Sequence, residues 1–139
     1  MRGDIAGMSA VKTNLSLGQS VVNVAIDAGK AIEDLLIEMK AKSVQASQAG
    51  LDTDSYAALN QEFTSLRAQI EAIVASAEFN GKNLINSAAA NFDVLSTVDG
   101  STITIAKQSN DATTLTIHTA ALTDATVAGT ALTAISQAI

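Results

Sequence analysis

The sequence predicts a mainly α protein with a small β region: a long antiparallel helical hairpin, a β-hairpin patch and a short C-terminal helix. Three observations carry this reading. Apolar residues recur in alternating steps of three and four through the first half of the 139-residue chain, the spacing of a helix packed lengthwise on other helices. There is no proline anywhere, so nothing removes a helical hydrogen bond. After Gly81 the composition shifts to Ala, Ser, Thr, Asn and Asp, with an apolar/polar alternation of period two.

The first helix is expected over about residues 5–47. Its seam reads Met8, Val11, Leu15, Gly18, Val22, Ala25, Gly29, Ile32, Leu36, Met39 and Ser43. The small residues Gly18, Ala25 and Gly29 invite a close neighbour, at about 1 kcal/mol of lost helix propensity per glycine relative to alanine. Gly50 is a natural stop, and Asp52 or Asp54 a natural N-cap for the next helix. That second helix, about residues 54–77, has the seam Tyr56, Leu59, Phe63, Leu66, Ile70, Ile73 and Ala77. It ends at a turn over residues 79–81, Phe79-Asn80-Gly81, where Phe79 is expected to plug the end of the hairpin core and Gly81 to take a backbone angle closed to larger residues. At ~1.5 Å per residue the two helices span ~65 Å and ~36 Å. The second therefore covers the first only from Val24 onward, and Met8, Val11, Leu15 and Val22 need another partner.

Residues 86–126 form the Thr/Ser/Ala-rich β region. Phe92-Asp93-Val94-Leu95, Thr102-Ile103-Thr104-Ile105 and Thr114-Leu115-Thr116-Ile117 alternate as half-buried strands do, and Asp99-Gly100 is a hairpin turn signal between the first two. Helical spacing returns over residues 127–139 with Ala131, Leu132, Ile135 and Ile139. The uncapped apolar end reads as a helix cut short.

Composition excludes most chemistry. A formal charge of −6 with eight scattered basic residues argues against nucleic acid, which needs clustered Lys and Arg. Cysteine is absent, removing disulfides, thiolate metal sites and Cys nucleophiles. Aromatics make up 3% of the chain, too few to stack a base, sugar or flat cofactor. No apolar run approaches the ~18 residues that span a bilayer, so no membrane is expected. The single histidine, His118, lies in the third strand pattern and reads as solvent-facing rather than as part of a nucleophilic triad. Glu33, Asp34 and Glu38 beside Lys30, Lys40 and Lys42 read as ion pairs on a solvated helix face. Arg2-Gly3-Asp4 spells an adhesive tripeptide, but it opens a helix instead of capping a loop. No catalytic, cofactor or metal residues are assigned.

The stretch from Leu51 to Ile85 resembles the second helix of the bacterial flagellin core domain. Glu78-Phe79-Asn80-Gly81 followed by Asn83-Leu84-Ile85 looks like that family's Phe-Asn-Gly turn. Leu35 to Lys40 and Val44-Gln45-Ala46 are similar to its first core helix, Ile5 to Val11 to the lead-in, and Ala131 to Ile135 to the start of its returning C-terminal helix. The resemblance implies residues 1–85 as N-terminal core helices and residues 127–139 as the truncated start of the returning helix. It implies a structural filament subunit for motility that is secreted unfolded and works outside the cell. Its partners would be other flagellin subunits, an export chaperone and hook-associated proteins. It also implies that the fragment lacks the terminal segments of a whole subunit.

Two other readings share parts of this pattern: a hook–filament junction protein of the same architecture, and a secreted coiled-coil adhesin or phage fibre module. In family members sensed by the vertebrate flagellin receptor, the first core helix presents an arginine and, four residues on, a leucine, with a glutamate on the second helix. The matching positions here are Glu38, Lys42 and Glu62. The charge reversal and the lost leucine imply weak or absent receptor binding, because losing a central anchor commonly costs about 2 kcal/mol or more.

Overall fold

The computed structural model describes residues 2–139, without the side chain of Arg2. Two helices dominate it: α1 (Arg2–Ala46) and α2 (Thr53–Ser76). Two short antiparallel hairpins follow, β1 (Glu78–Phe79) with β2 (Lys82–Asn83), and β3 (Phe92–Leu95) with β4 (Thr102–Ile105), and then α3 (Ala125–Ala138). At ~1.5 Å per residue α1 extends ~68 Å. It is the spine on which α2, α3 and the β3–β4 hairpin pack.

Gly50, at φ +95°, lets the chain leave α1, and Asp52 caps α2 by accepting the Ser55 N–H at 2.7 Å. That interaction with Ser55 holds the Asp52 carboxyl below the usual carboxylate range. The main core is lined by Ile32, Leu36, Met39 and Ala46 of α1, by Leu59, Phe63, Leu66, Ile70 and Val74 of α2, and by Ala128, Ala131 and Ile135 of α3. Ser43 lies buried in the α1 seam, its hydroxyl bonded to the Met39 carbonyl at 3.0 Å.

Two seam positions slip by one residue. Val21 is buried and Val22 only half-buried, and Val74 is buried where Ile73 is half-buried. A strict repeat of 3.5 drifts about 20° per heptad against a real helix, so the facing residue changes along a long element.

The Asn80-Gly81 turn has φ +51° and +74° and joins β1 to β2 by two residues, the geometry of a primed hairpin turn. Phe79, however, does not plug the hairpin core. It is 40% exposed and lies beside Ser9, Lys12, Ser16 and Leu17 on the outer surface of α1. Its strand is paired outside the helical core, so its side chain meets the flank of α1. The residue that fastens the turn is Asn83. Its Nδ2 donates to the Val74 carbonyl at 2.7 Å, and its Oδ1 accepts from the Ile85 and Asn86 N–H groups at 2.9 and 3.0 Å. Asn83→Ala is expected to cost about 2 kcal/mol through these bonds. Phe79→Ala should cost less than the ~3–5 kcal/mol of a buried phenylalanine. Urea denaturation of both variants gives the order, and a larger loss for Phe79→Ala contradicts it.

The third strand is absent. Residues 111–117 form a single helical turn capped at both ends. Asp111 accepts the Thr114 N–H at 2.8 Å, and the turn closes with bonds from Ile117 N–H to the Ala112 carbonyl and from Thr116 N–H to the Thr113 carbonyl, the Schellman pairing. Thr116 takes φ +59° there, a left-handed conformation costly for a β-branched residue. Ile117 at the end of this turn and Leu122 in the loop after it are fully buried. The alternation at residues 114–117 reflects anchors alternating on an irregular loop. His118 is exposed as expected, but outside any strand.

Candidate assembly surface

The front of α1, which α2 does not reach, is partly covered by the β3–β4 hairpin. Register pairs Phe92 with Ile105 and Leu95 with Thr102, and the hairpin lies against α1 where glycine admits it. A Cβ on Gly18 would stand 2.7 Å from Val94 Cγ2 and 3.5 Å from Ile105 Cδ1, and one on Gly7 would stand 3.0 Å from Val98 Cγ1. Gly18 thus admits a strand rather than a second helix, while Gly29 has open space above it. Lys82 reaches over the Phe92 ring at 5.7 Å, linking the two hairpins.

The cover is incomplete. Between helix and hairpin runs a groove of about 420 Å³ lined by Met8, Val11, Lys12, Leu15, Thr97 and Val98. Met8 is 67% exposed, Leu15 40% and Val98 54%, with Ile5 and Ile103 exposed nearby. At roughly 1.5–3 kcal/mol for full burial of one such side chain, this groove leaves an apolar demand that the chain itself does not meet. The other end of α1 is different. Ile32, Leu36 and Met39 are closed off by Leu59, Phe63, Leu66 and Ile70 and by α3, whose last residues Ala138 and Ile139 sit beside Gly29 and Ile32.

Glu38, Lys42 and Glu62 occupy neighbouring positions of α1 and α2. Lys42 forms an ion pair with Glu62, and Glu38 is exposed one turn before Lys42. Lys42 is therefore already engaged by the glutamate.

Sequence reasoning overlooked the polar ties between α2 and the loop entering α3. Arg67 donates to the carbonyls of His118 and Ala120 at 2.7 and 3.1 Å, and Asn60 accepts the Leu122 N–H at 2.9 Å. Their signal is their place on α2: each lies one residue after a buried seam position, beside Leu59 and Leu66. Among the described residues no cluster of three or more metal-ligating side chains occurs, and no helix is long and apolar enough to cross a membrane.

Comparison with known proteins places this geometry. Residues 1–90 match the sequence model of the bacterial flagellin N-terminal helical region. Flagellin FljN of Caulobacter vibrioides is 44% identical over 98 residues, covering 70% of this chain and 36% of that protein. Flagellin C of Rhizobium meliloti is 38% identical over 91 residues, covering 65% of this chain and 27% of that protein. The matched part thus spans 27% to 36% of the length of these two relatives. A crystal structure of Bacillus cereus flagellin superposes with a TM-score of 0.79 at 21% identity, covering 92% of this chain and 74% of that one, which establishes the shared fold.

Proposed function

Since the chain belongs to the bacterial flagellins, we propose that it is the helical core of a flagellar filament subunit, a structural element that polymerises with other flagellin subunits outside the cell and catalyses nothing. The observation that carries this is the apolar front of α1, left open along Met8, Val11 and Leu15. In this reading residues 1–85 are the N-terminal core helices, residues 86–126 the β region laid on them, and residues 127–139 the start of a returning helix. An export chaperone and hook-associated proteins join the partners by the same family reasoning. A junction protein, an adhesin and a phage fibre are the weaker readings, because the relatives matched are filament flagellins. In the full-length protein, Leu15→Asp should stop or shorten filaments, scored by electron microscopy and swimming. Filaments of normal length, with the variant exported at normal level, would count against this surface.

The second part of the proposal concerns immune recognition. Glu38 opposes the positive charge that the vertebrate flagellin receptor meets in sensed relatives, and Lys42 is paired with Glu62. Weak receptor activation is expected from the full-length protein. Glu38→Arg with Lys42→Leu should raise signalling at least about tenfold, the equivalent of ~1.4 kcal/mol. Strong signalling from the unsubstituted protein in a reporter assay overturns this part alone.

A further inference from the structure

Of the asparagines in the chain, Asn80 alone precedes a glycine. Register pairs Glu78 with Asn83 and Phe79 with Lys82, so Asn80 and Gly81 are the two corner residues of the β1–β2 hairpin. Both are exposed. Other asparagines are placed differently. Asn14, Asn23 and Asn60 lie inside α1 and α2, where the next N–H belongs to the helical ladder. Asn83 is tied at both ends of its amide. Asn86 Oδ1 accepts the Ala88 N–H at 2.8 Å, and Asn91 Oδ1 accepts the Lys107 N–H at 3.1 Å. Asp99-Gly100 is the acidic counterpart of the same dipeptide, but the Gly100 N–H donates to the Thr97 carbonyl at 3.3 Å, and a carboxylate is a poor electrophile.

We propose that Asn80 is a site of spontaneous covalent modification, gated by the opening of the β1–β2 hairpin. Gly81 has no side chain to shield its backbone nitrogen. That nitrogen, having lost its proton to base, attacks Asn80 Cγ. The Cγ–Nδ2 bond breaks, ammonia leaves with a proton taken from water, and a succinimide ring closes. One water then opens the ring at either carbonyl. Breaking the new Cγ–N bond leaves an ordinary aspartate at position 80. Breaking the original peptide bond leaves an isoaspartate, whose main chain runs through the side-chain carbon. Closed, the turn keeps the reacting groups apart. Asn80, at φ +51°, lies in the left-handed well, where ψ is about +47°, and ring closure requires the Gly81 nitrogen to swing round toward the side chain. A hairpin of two residue pairs is marginal by itself and opens locally at low cost, with Asn83 as its fastening. The two products differ in effect. The aspartate keeps the turn, since Asp-Gly forms the same primed turn as Asn-Gly. The isoaspartate adds a methylene to the main chain, for which a two-residue turn has no room. Phe79 and Lys82 then lose their register, and Phe79 its seat beside Lys12 and Leu17, while the core between α1 and α2 stays closed.

The test is to age the 139-residue chain in mildly alkaline buffer, native and in urea, and to map its peptides by mass spectrometry, with isoaspartate read by enzymatic methylation. In the native chain Asn80 is expected to convert first, about tenfold or more faster than Asn83, whose hydrogen bonds must break beforehand. Urea should speed conversion at Asn80. So should Asn83→Ala, with its helices checked by circular dichroism. Asn83→Asp keeps the acceptor for Ile85 and Asn86, loses the bond to the Val74 carbonyl, and should act in the same direction more mildly. Amide exchange in the aged chain should accelerate in β1 and β2 with α2 unchanged. Asn80→Gly keeps a primed turn and should show no such ageing. Conversion of another asparagine before Asn80 overturns the proposal. An Asn80 rate that is the same in native buffer, in urea and in both Asn83 variants overturns the gating by the hairpin. Unchanged exchange in β1 and β2 of a chain rich in isoaspartate overturns the structural consequence.

Discussion

Phe63→Ala is expected to lose most of the stability of the chain. Phe63 has no exposed surface and sits in the core that α2 shares with Leu36 and Met39 of α1 and Ile135 of α3. Truncating a buried phenylalanine costs about 3–5 kcal/mol, the transfer free energy plus the cavity left behind. Against a total of roughly 5–15 kcal/mol for a domain, that is a large fraction. Circular dichroism during urea denaturation should show the midpoint falling steeply, with Phe63→Leu in between. A loss below about 1 kcal/mol for the alanine variant would show that the three helices do not close on this residue.

Gly18→Val should detach the β3–β4 hairpin while leaving the helical core in place. The new side chain must enter space already held by Val94, whose Cγ2 and Cγ1 lie 2.7 and 3.3 Å from the position of a Cβ. Overpacking of this kind typically costs about 1–3 kcal/mol, more than valine recovers in helix propensity over glycine. Amide exchange should accelerate across β3 and β4, with α2 still protected. Unchanged protection in the hairpin would mean that Gly18 is not its seat.

The helices were readable because each carries its own period. Leu59, Phe63, Leu66 and Ile70 on α2 need no knowledge of their partner to be recognised as one face, and all four are buried. The β3–β4 hairpin was readable for a similar reason, since alternation and the Asp99-Gly100 turn lie within fourteen consecutive residues. What stayed hidden depends on encounters distant in sequence. Residues 114–117 alternate like a strand, yet no neighbouring strand exists to pair with them, and Asp111 offers the local cap that a short helical turn needs. Phe79 looked like a core plug because it is aromatic and ends a seam, but the turn it belongs to is fastened by Asn83. The hairpin lying over the front of α1 was likewise out of reach. Gly18 announced a close neighbour without saying that it would be a strand.

The ties from Arg67 and Asn60 to the loop before α3 bear on the order in which this chain is built. The α1–α2 hairpin closes through a six-residue loop, a small entropic demand. α3 must come back across the whole of residues 77–124, guided by side chains that are in position only once α2 exists. Folding is therefore expected to run from the hairpin outward, with α3 docking late. Opening should follow the reverse course: α3 and its loop leave first, as the least protected cooperative unit, while the hairpin persists. With no proline in the chain, no slow isomerisation delays either course.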